Sequence, residues 1–254
     1  MLAAILVLVV GKPLTDSDRI LAHGSPFGWF RNLGRDIEII SVMNEWDLQA
    51  ELTERWLKES LEMSPLGRLD LVAWELMFPS WDINYKTTRW NEPSLDFVFL
   101  TQADGFVLVE LKNVIPNRSG FLSAFCQVSH RAVQFVRTYT PDRLEKAFRF
   151  CLEGACQRPA GDAASLARVS DRIAGLPTNL QVDKVYRVIA ATKFPTSHGS
   201  LLDQYNSSSF EDLVKLIGEP AKSAKERRRF CALESSDFER IRSNPVSLQK
   251  VAAA

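Results

Sequence analysis

The stretch SLDFVFLTQADGFVLVELKN, residues 94–113, limits what this chain can fold into more than any other part of it. Two runs rich in Phe, Val and Leu flank Asp104-Gly105, a dipeptide that tolerates positive φ, so the stretch predicts a β-hairpin. Side chains alternate along a strand. Glu110 and Lys112 therefore share a face with Leu108, while Val107, Val109 and Leu111 share the other. Asp96 stands at the start of the first strand. Charges on strands this apolar are costly unless they are paired or bind an ion, which marks Asp96, Glu110 and Lys112 as a candidate site. The plainer alternative is a Glu-Lys cross-strand pair on a wet sheet edge.

The rest of the composition sets few further limits. The chain has 254 residues, formal net charge zero, 46% hydrophobic and 24% charged residues, and no evident repeat or linker, as expected of one compact domain. A neutral whole-molecule charge announces no nucleic-acid partner but leaves room for a local basic groove. Cys126, Cys151, Cys156 and Cys231 have neither zinc-site spacing nor the density of a disulfide scaffold, which points to reduced thiols in a cytoplasmic protein. The apolar opening MLAAILVLVV is about half the length of a spanning helix. It lacks a basic lead and a small-residue cleavage site, and its β-branched end fits a buried strand or packed first segment, so no membrane partner is expected.

Around the hairpin, residues 15–40 read as loops and short elements, with His23 a loop histidine. A helix is predicted from the N-cap Asn44, with Leu48, Leu52, Trp56 and Leu61 on one face and Pro65 and Gly67 as its stop. Leu69 to Trp81 reads as a helix end followed by a first strand. Asp82 to Glu92 is a polar connection in which Lys86, Arg89 and Trp90 are of a kind able to contact phosphate and stack on a base. After a loop over Pro116 to Gly120, helices are predicted over Phe121–Tyr139, Leu144–Cys156 and Ala160–Ala174. On the first of these, Gln127, Arg131 and Gln134 form a polar stripe at one-turn spacing. Val182 to Lys193 is a strand. A helix over Phe210–Ile217, capped by Ser209 with Asp212, and a short one over Asp237–Arg242 follow, with VAAA as a frayed end. KSAKERRR, residues 222–229, is the densest basic run.

A carboxylate pair can hold Mg²⁺, which is commonly bound by one or two carboxylates, waters and a substrate phosphate. Such an ion polarises a phosphodiester and lowers the pKa of its bound water. Lys112 could orient that water or offset charge developing on the phosphate. On the helix before the hairpin, Glu45 is the preferred supporting acid, with Glu51 and Glu54 as rivals.

Asp96, thirteen intervening residues and then Glu110-Leu111-Lys112 resemble the signature of the PD-(D/E)xK phosphodiesterases. The order helix, strand, acid-bearing hairpin, helix, strand is similar to that superfamily as well. The resemblance implies an α/β, restriction-endonuclease-like mixed sheet flanked by helices, with a nuclease core over about 44–195 and terminal extensions 1–43 and 196–254. It implies Mg²⁺ or Mn²⁺ held by Asp96, Glu110 and the Leu111 carbonyl, with Lys112 catalytic. RecB-like branches add an acid on the first helix, matched by Glu45, and a helical glutamine, matched by Gln127. Arg131 stands where those relatives carry tyrosine, and the proline before the metal-binding aspartate is two positions early, at Pro93. The function implied is hydrolysis of DNA, with DNA ahead of RNA as partner, acting alone, as a homodimer or within a defence or repair complex. The alternative is a non-catalytic nucleic-acid-binding or assembly module of the same fold.

Overall fold

The computed structural model describes residues 44–78, 94–152, 163–176, 184–218 and 229–251. The expectations for residues 1–43, for Lys86, Arg89 and Trp90, for most of the basic run and for residues 252–254 lie outside the described residues. The chain divides into two compact units, residues 1–48 and 49–254. Of the first, the described part is the opening of helix α1 (Glu45–Lys58). Asn44 caps it as expected, its Oδ1 accepting from the Asp47 N–H at 2.9 Å while its Nδ2 donates to the Asp47 carboxylate at 2.7 Å.

The second unit is built on a mixed six-stranded sheet in the order β1 (Leu61–Met63), β2 (Gly67–Met77), β3 (Ser94–Thr101), β4 (Phe106–Val114), β5 (Val185–Lys193), β6 (Val246–Lys250). The first four strands form an antiparallel meander, and β5 and β6 then run parallel to β4. A parallel return needs a long crossover. Here it carries helices α2 (Arg118–Thr138), α3 (Pro141–Leu152) and α4 (Ala163–Ala174), and α5 (His198–Ser207), α6 (Phe210–Gly218) and α7 (Ser235–Arg242) lie between β5 and β6.

Both faces of the central strands are covered. Phe97 and Phe99, on one face, meet the Trp56 ring of α1 edge-on at 4.8 and 5.1 Å. On the other face, Phe106 meets Phe135 of α2 at 5.2 Å, and Tyr139 just beyond α2 donates its hydroxyl to the Met77 carbonyl at 2.7 Å. Strands buried on both sides read as continuous apolar runs rather than alternating ones, as β3 and β4 do.

The predicted hairpin forms. Thr101 and Gly105 close it through Thr101 N–H to Gly105 O at 2.8 Å and Asp104 N–H to Thr101 O at 3.2 Å. Asp104 takes the positive φ, 57°, and Gly105 serves close approach instead: a Cβ there would lie 2.9 Å from the Lys184 carbonyl and 3.2 Å from the Tyr186 ring.

Four expectations need correction. Helix α1 stops at Lys58, because Leu61 to Met63 pair with Gly67 to Leu69, and Pro65 and Gly67 (φ 71°) close a hairpin rather than end a helix. The first long strand starts at Gly67, with no helix end within it. The loop predicted over Pro116 to Gly120 is already helical from Arg118, because the Asn117 side chain accepts from the Gly120 N–H and caps α2. The C-terminal segment, expected to be helical and irregular, supplies a sixth strand, β6, and its first helix, α5, was not delimited from the sequence. The Ser209–Asp212 cap of α6 is present, with Asp212 N–H donating to Ser209 Oγ at 3.2 Å. Among the described residues, no helix is long and apolar enough to cross a membrane.

Gly105→Ala is expected to destabilise the protein by about 1–3 kcal/mol, because the Lys184 carbonyl cannot yield as a side chain would. Gly199→Ala, where a Cβ meets nothing within 4 Å, is the control and is expected to be neutral or slightly stabilising. Urea denaturation of both variants checks the contrast.

Candidate active site

The site forms where the β3–β4 hairpin opens towards its ends. Phe97 pairs with Val109 and Val98 with Leu108, and one further step of this register sets Asp96 opposite Glu110 on the same sheet face. The side chain of Asp96 bridges the strands: its Oδ2 accepts from the Leu111 N–H at 2.6 Å. From α1, Gln49 donates its amide to the Asp96 carbonyl at 3.3 Å.

Glu110 is 3% exposed and gripped from two sides. Lys112 Nζ lies 3.0 Å from Oε1, and Arg131 Nη1 of α2 donates to Oε2 at 2.9 Å. The Lys112 side chain is 26% exposed against 12% for Arg131, so the lysine stands at the boundary with water and the arginine behind it. Helix α2 runs antiparallel to β4, since Phe135 meets Phe106 and Arg131 meets Glu110. The stripe Gln127, Arg131 and Gln134 thus faces the sheet. Gln127 is one turn before Arg131, on the side of α2 that leads towards Lys112.

Burial raises the Asp96 carboxyl to about 7, and the neighbouring Glu110 charge pushes in the same direction. Lys112, the Leu111 N–H and Arg131 oppose the rise without cancelling it. Next to Arg131 in the chain, His130 is lowered to about 4, first by burial and then by the Arg131 and Arg229 charges.

Asp96, Glu110, Leu111 and Lys112 therefore come together, and Gln127 lies on the helix face directed at them. Glu45 sits in the first turn of α1 and belongs to the 1–48 unit, whereas Asp96, Glu110 and Lys112 belong to the other. Two participants were not singled out in the sequence. Arg131 was visible only as part of a polar stripe and as a departure from tyrosine, although an arginine on a largely buried helix face is itself a signal that a buried acid lies opposite. Gln49 follows Glu45 by one turn, on an inward helix face, and is 4% exposed.

Among the described residues, no group of three or more His, Cys, Asp or Glu side chains gathers as a metal cage. The chemistry of the donors nevertheless suits a hard divalent cation, which needs only one or two carboxylates and keeps its waters. Asp96 and Glu110 supply these. The carbonyl of Leu111 points to the same side of its strand as the N–H that meets Asp96, so the backbone offers a third oxygen there.

Comparison with protein-family models, with curated proteins and with solved structures finds no match to this chain.

The raised Asp96 pKa has a sign that can be checked. The folded state binds more protons than the unfolded state between the ordinary value of 3.8 and about 7, so stability from this group is present in acid and lost as pH rises through about 7. His130 works the other way, its contribution being lost as pH falls from 6.5 towards 4. Asp96→Asn removes the first effect alone. In chelator at pH 8 it is expected to melt higher than the wild type by several degrees, since about 1 kcal/mol shifts Tm by roughly 2–4 °C in a chain of this size. At pH 5 the gap should be clearly smaller, since most of the loss falls between pH 5 and about 7, and thermal unfolding at both pH values reads the difference.

Proposed function

We propose that this chain is a divalent-metal-dependent phosphodiesterase acting on nucleic acid, DNA in the first instance, with a restriction-endonuclease-like core. The observation that carries the reading is the meeting of Asp96 and Glu110 at one end of a buried hairpin, with Lys112 2 residues further on the same strand and within 3.0 Å of Glu110. The strand order adds support: a meander with the acids on its last two strands, a helical crossover and a parallel strand beside Glu110 is the arrangement that the signature implies.

Asp96 and Glu110, with the Leu111 carbonyl, would hold Mg²⁺ or Mn²⁺, which when bound polarises a phosphoryl oxygen and makes its water more acidic. The chain's own residues do the rest. The Leu111 N–H fixes the Asp96 carboxylate against rotation, leaving Oδ1 for the ion. Lys112, a mobile point charge at the water boundary, holds the attacking water or offsets charge on the phosphate oxygens. Gln127 reaches the same face from α2 and is suited to orient a water or a phosphate oxygen. A cytoplasmic setting fits Cys126 and Cys231, which form no disulfide among the described residues.

One observation favours the second reading, a non-catalytic binding module. Both Glu110 oxygens already have cationic partners, as they would in a site that had replaced its ion by internal pairing. That reading predicts metal-independent binding with steep salt dependence.

The test is cleavage of single-stranded and duplex DNA in Mg²⁺ or Mn²⁺. Lys112→Ala and Asp96→Ala are each expected to lower the rate by about 10²–10³-fold, the size of effect found when one charge-stabilising group is removed. Undiminished cleavage by both variants would overturn the assignment, and no cleavage by the wild type with any metal would favour the binding module.

A further inference from the structure

We propose that Arg131 is an exchange residue: it holds Glu110 while the cation is absent and turns to a phosphate oxygen of the nucleic-acid backbone when the cation takes its place. This rests on the phosphodiesterase reading of the same site and adds to it a residue that couples metal binding to substrate binding.

Three observations lead there. First, Arg131 Nη1 lies 2.9 Å from Glu110 Oε2 and Lys112 Nζ lies 3.0 Å from Oε1, so both oxygens of the carboxylate assigned to the cation are engaged by positive groups. A divalent ion on Glu110 would stand beside a guanidinium on the same carboxylate, and like charges at that range repel strongly in a buried setting. Second, the guanidinium is incompletely used: its Nε is buried and has no hydrogen-bond partner among the described residues. An arginine fork that spends one donor on a carboxylate and leaves Nε idle is matched by an anion that presents two oxygens, as the two non-bridging oxygens of a tetrahedral phosphodiester do. Third, the formal charges of the four side chains balance once Asp96 is ionised, as holding a cation requires. Asp96 and Glu110 give minus two when both are ionised, and Lys112 and Arg131 give plus two; a divalent ion would leave an excess of two positive charges. That excess is a demand for anion at the same place, and Arg131 freed from Glu110 is the group placed to meet it.

Lys112 is the weaker candidate for this exchange. Its ammonium is more exposed, has no fork to match two oxygens, and sits on the strand that carries Glu110 rather than on the facing helix. Arg131 acts from α2, so its turn towards phosphate would also tie the helix to the substrate. Arg131 is thus proposed as a substrate-contacting and coupling residue rather than as the group that activates water.

The experiment uses the full chain and two kinds of readout. Mn²⁺ binding is measured by calorimetry without DNA, and the affinity for a labelled DNA oligonucleotide is measured with and without Ca²⁺, for the wild type, Glu110→Gln, Arg131→Gln and Arg131→Lys. Arg131→Gln removes the competing charge, so it is expected to bind Mn²⁺ about fivefold tighter than the wild type while losing most of a Ca²⁺-induced gain in DNA affinity of about tenfold, the range typical of coupling between sites. Arg131→Lys keeps the charge without the fork; its Mn²⁺ affinity should stay near that of the wild type while the DNA gain falls. It also carries the test if the glutamine variant fails to fold. Unchanged Mn²⁺ affinity in Arg131→Gln, or a full Ca²⁺-induced gain in either variant, overturns the exchange and leaves the phosphodiesterase reading standing. Wild-type protein whose Mn²⁺ binding is absent, or is not reduced by Glu110→Gln, overturns both.

Discussion

The grip of Lys112 and Arg131 on the buried Glu110 carboxylate is the interaction on which the rest of the site depends. An acid 3% exposed in the middle of an apolar sheet is tolerable only because two cations meet it, one from its own strand and one from the facing helix. That requirement fixes the rotation of α2 about its axis. With Arg131 directed at Glu110, Phe135 falls on Phe106 and Ser129 falls opposite Arg187 of β5, and the helix cannot turn by one residue without stranding a charge. Specificity of packing here comes from polar groups in an otherwise interchangeable apolar interface.

Asp96 completes the picture by a different means. Among the described residues it has no ion pair of its own; its carboxylate is held by a backbone N–H of the neighbouring strand, and its environment favours the protonated form near neutrality. Two carboxylates side by side, one neutralised by cations and the other inclined to keep a proton, make a site whose charge state depends on what binds to it. Two carboxylates this close repel each other, and Lys112 and Arg131 relieve that repulsion on the Glu110 side.

Much of this was legible in the sequence because the hairpin is local. A turn dipeptide between two apolar runs sets the register, and the register alone brings Asp96 opposite Glu110. The polar stripe on α2 was legible for the same reason, as spacing within one element. What failed to show was non-local pairing. Leu61 to Met63 continue a helical pattern until Gly67 to Leu69 are present to pair with them, and Val246 to Lys250 are five residues of mixed character that become a strand only beside β5. Likewise, the meaning of Arg131 lay in a partner 21 residues away. Pattern within a segment was readable, while what a segment leans on was not.

Arg187 extends that lesson to the whole sheet. It is 1% exposed, lies on the same face as Glu110 and is pulled down by burial to about 9, yet it stays charged at neutral pH with no carboxylate against it among the described residues. Its guanidinium is met by the Ser129 hydroxyl at 2.7 Å and by the Ile241 and Asn244 carbonyls, where α7 ends. The negative end of that helix is the counter-charge. Residues past 195 are therefore not an appendage to a finished core. They supply two of the three hydrogen bonds to a cation that sits one strand in from the edge of the sheet, and a chain shortened ahead of α7 would have to fold around a largely unsolvated guanidinium.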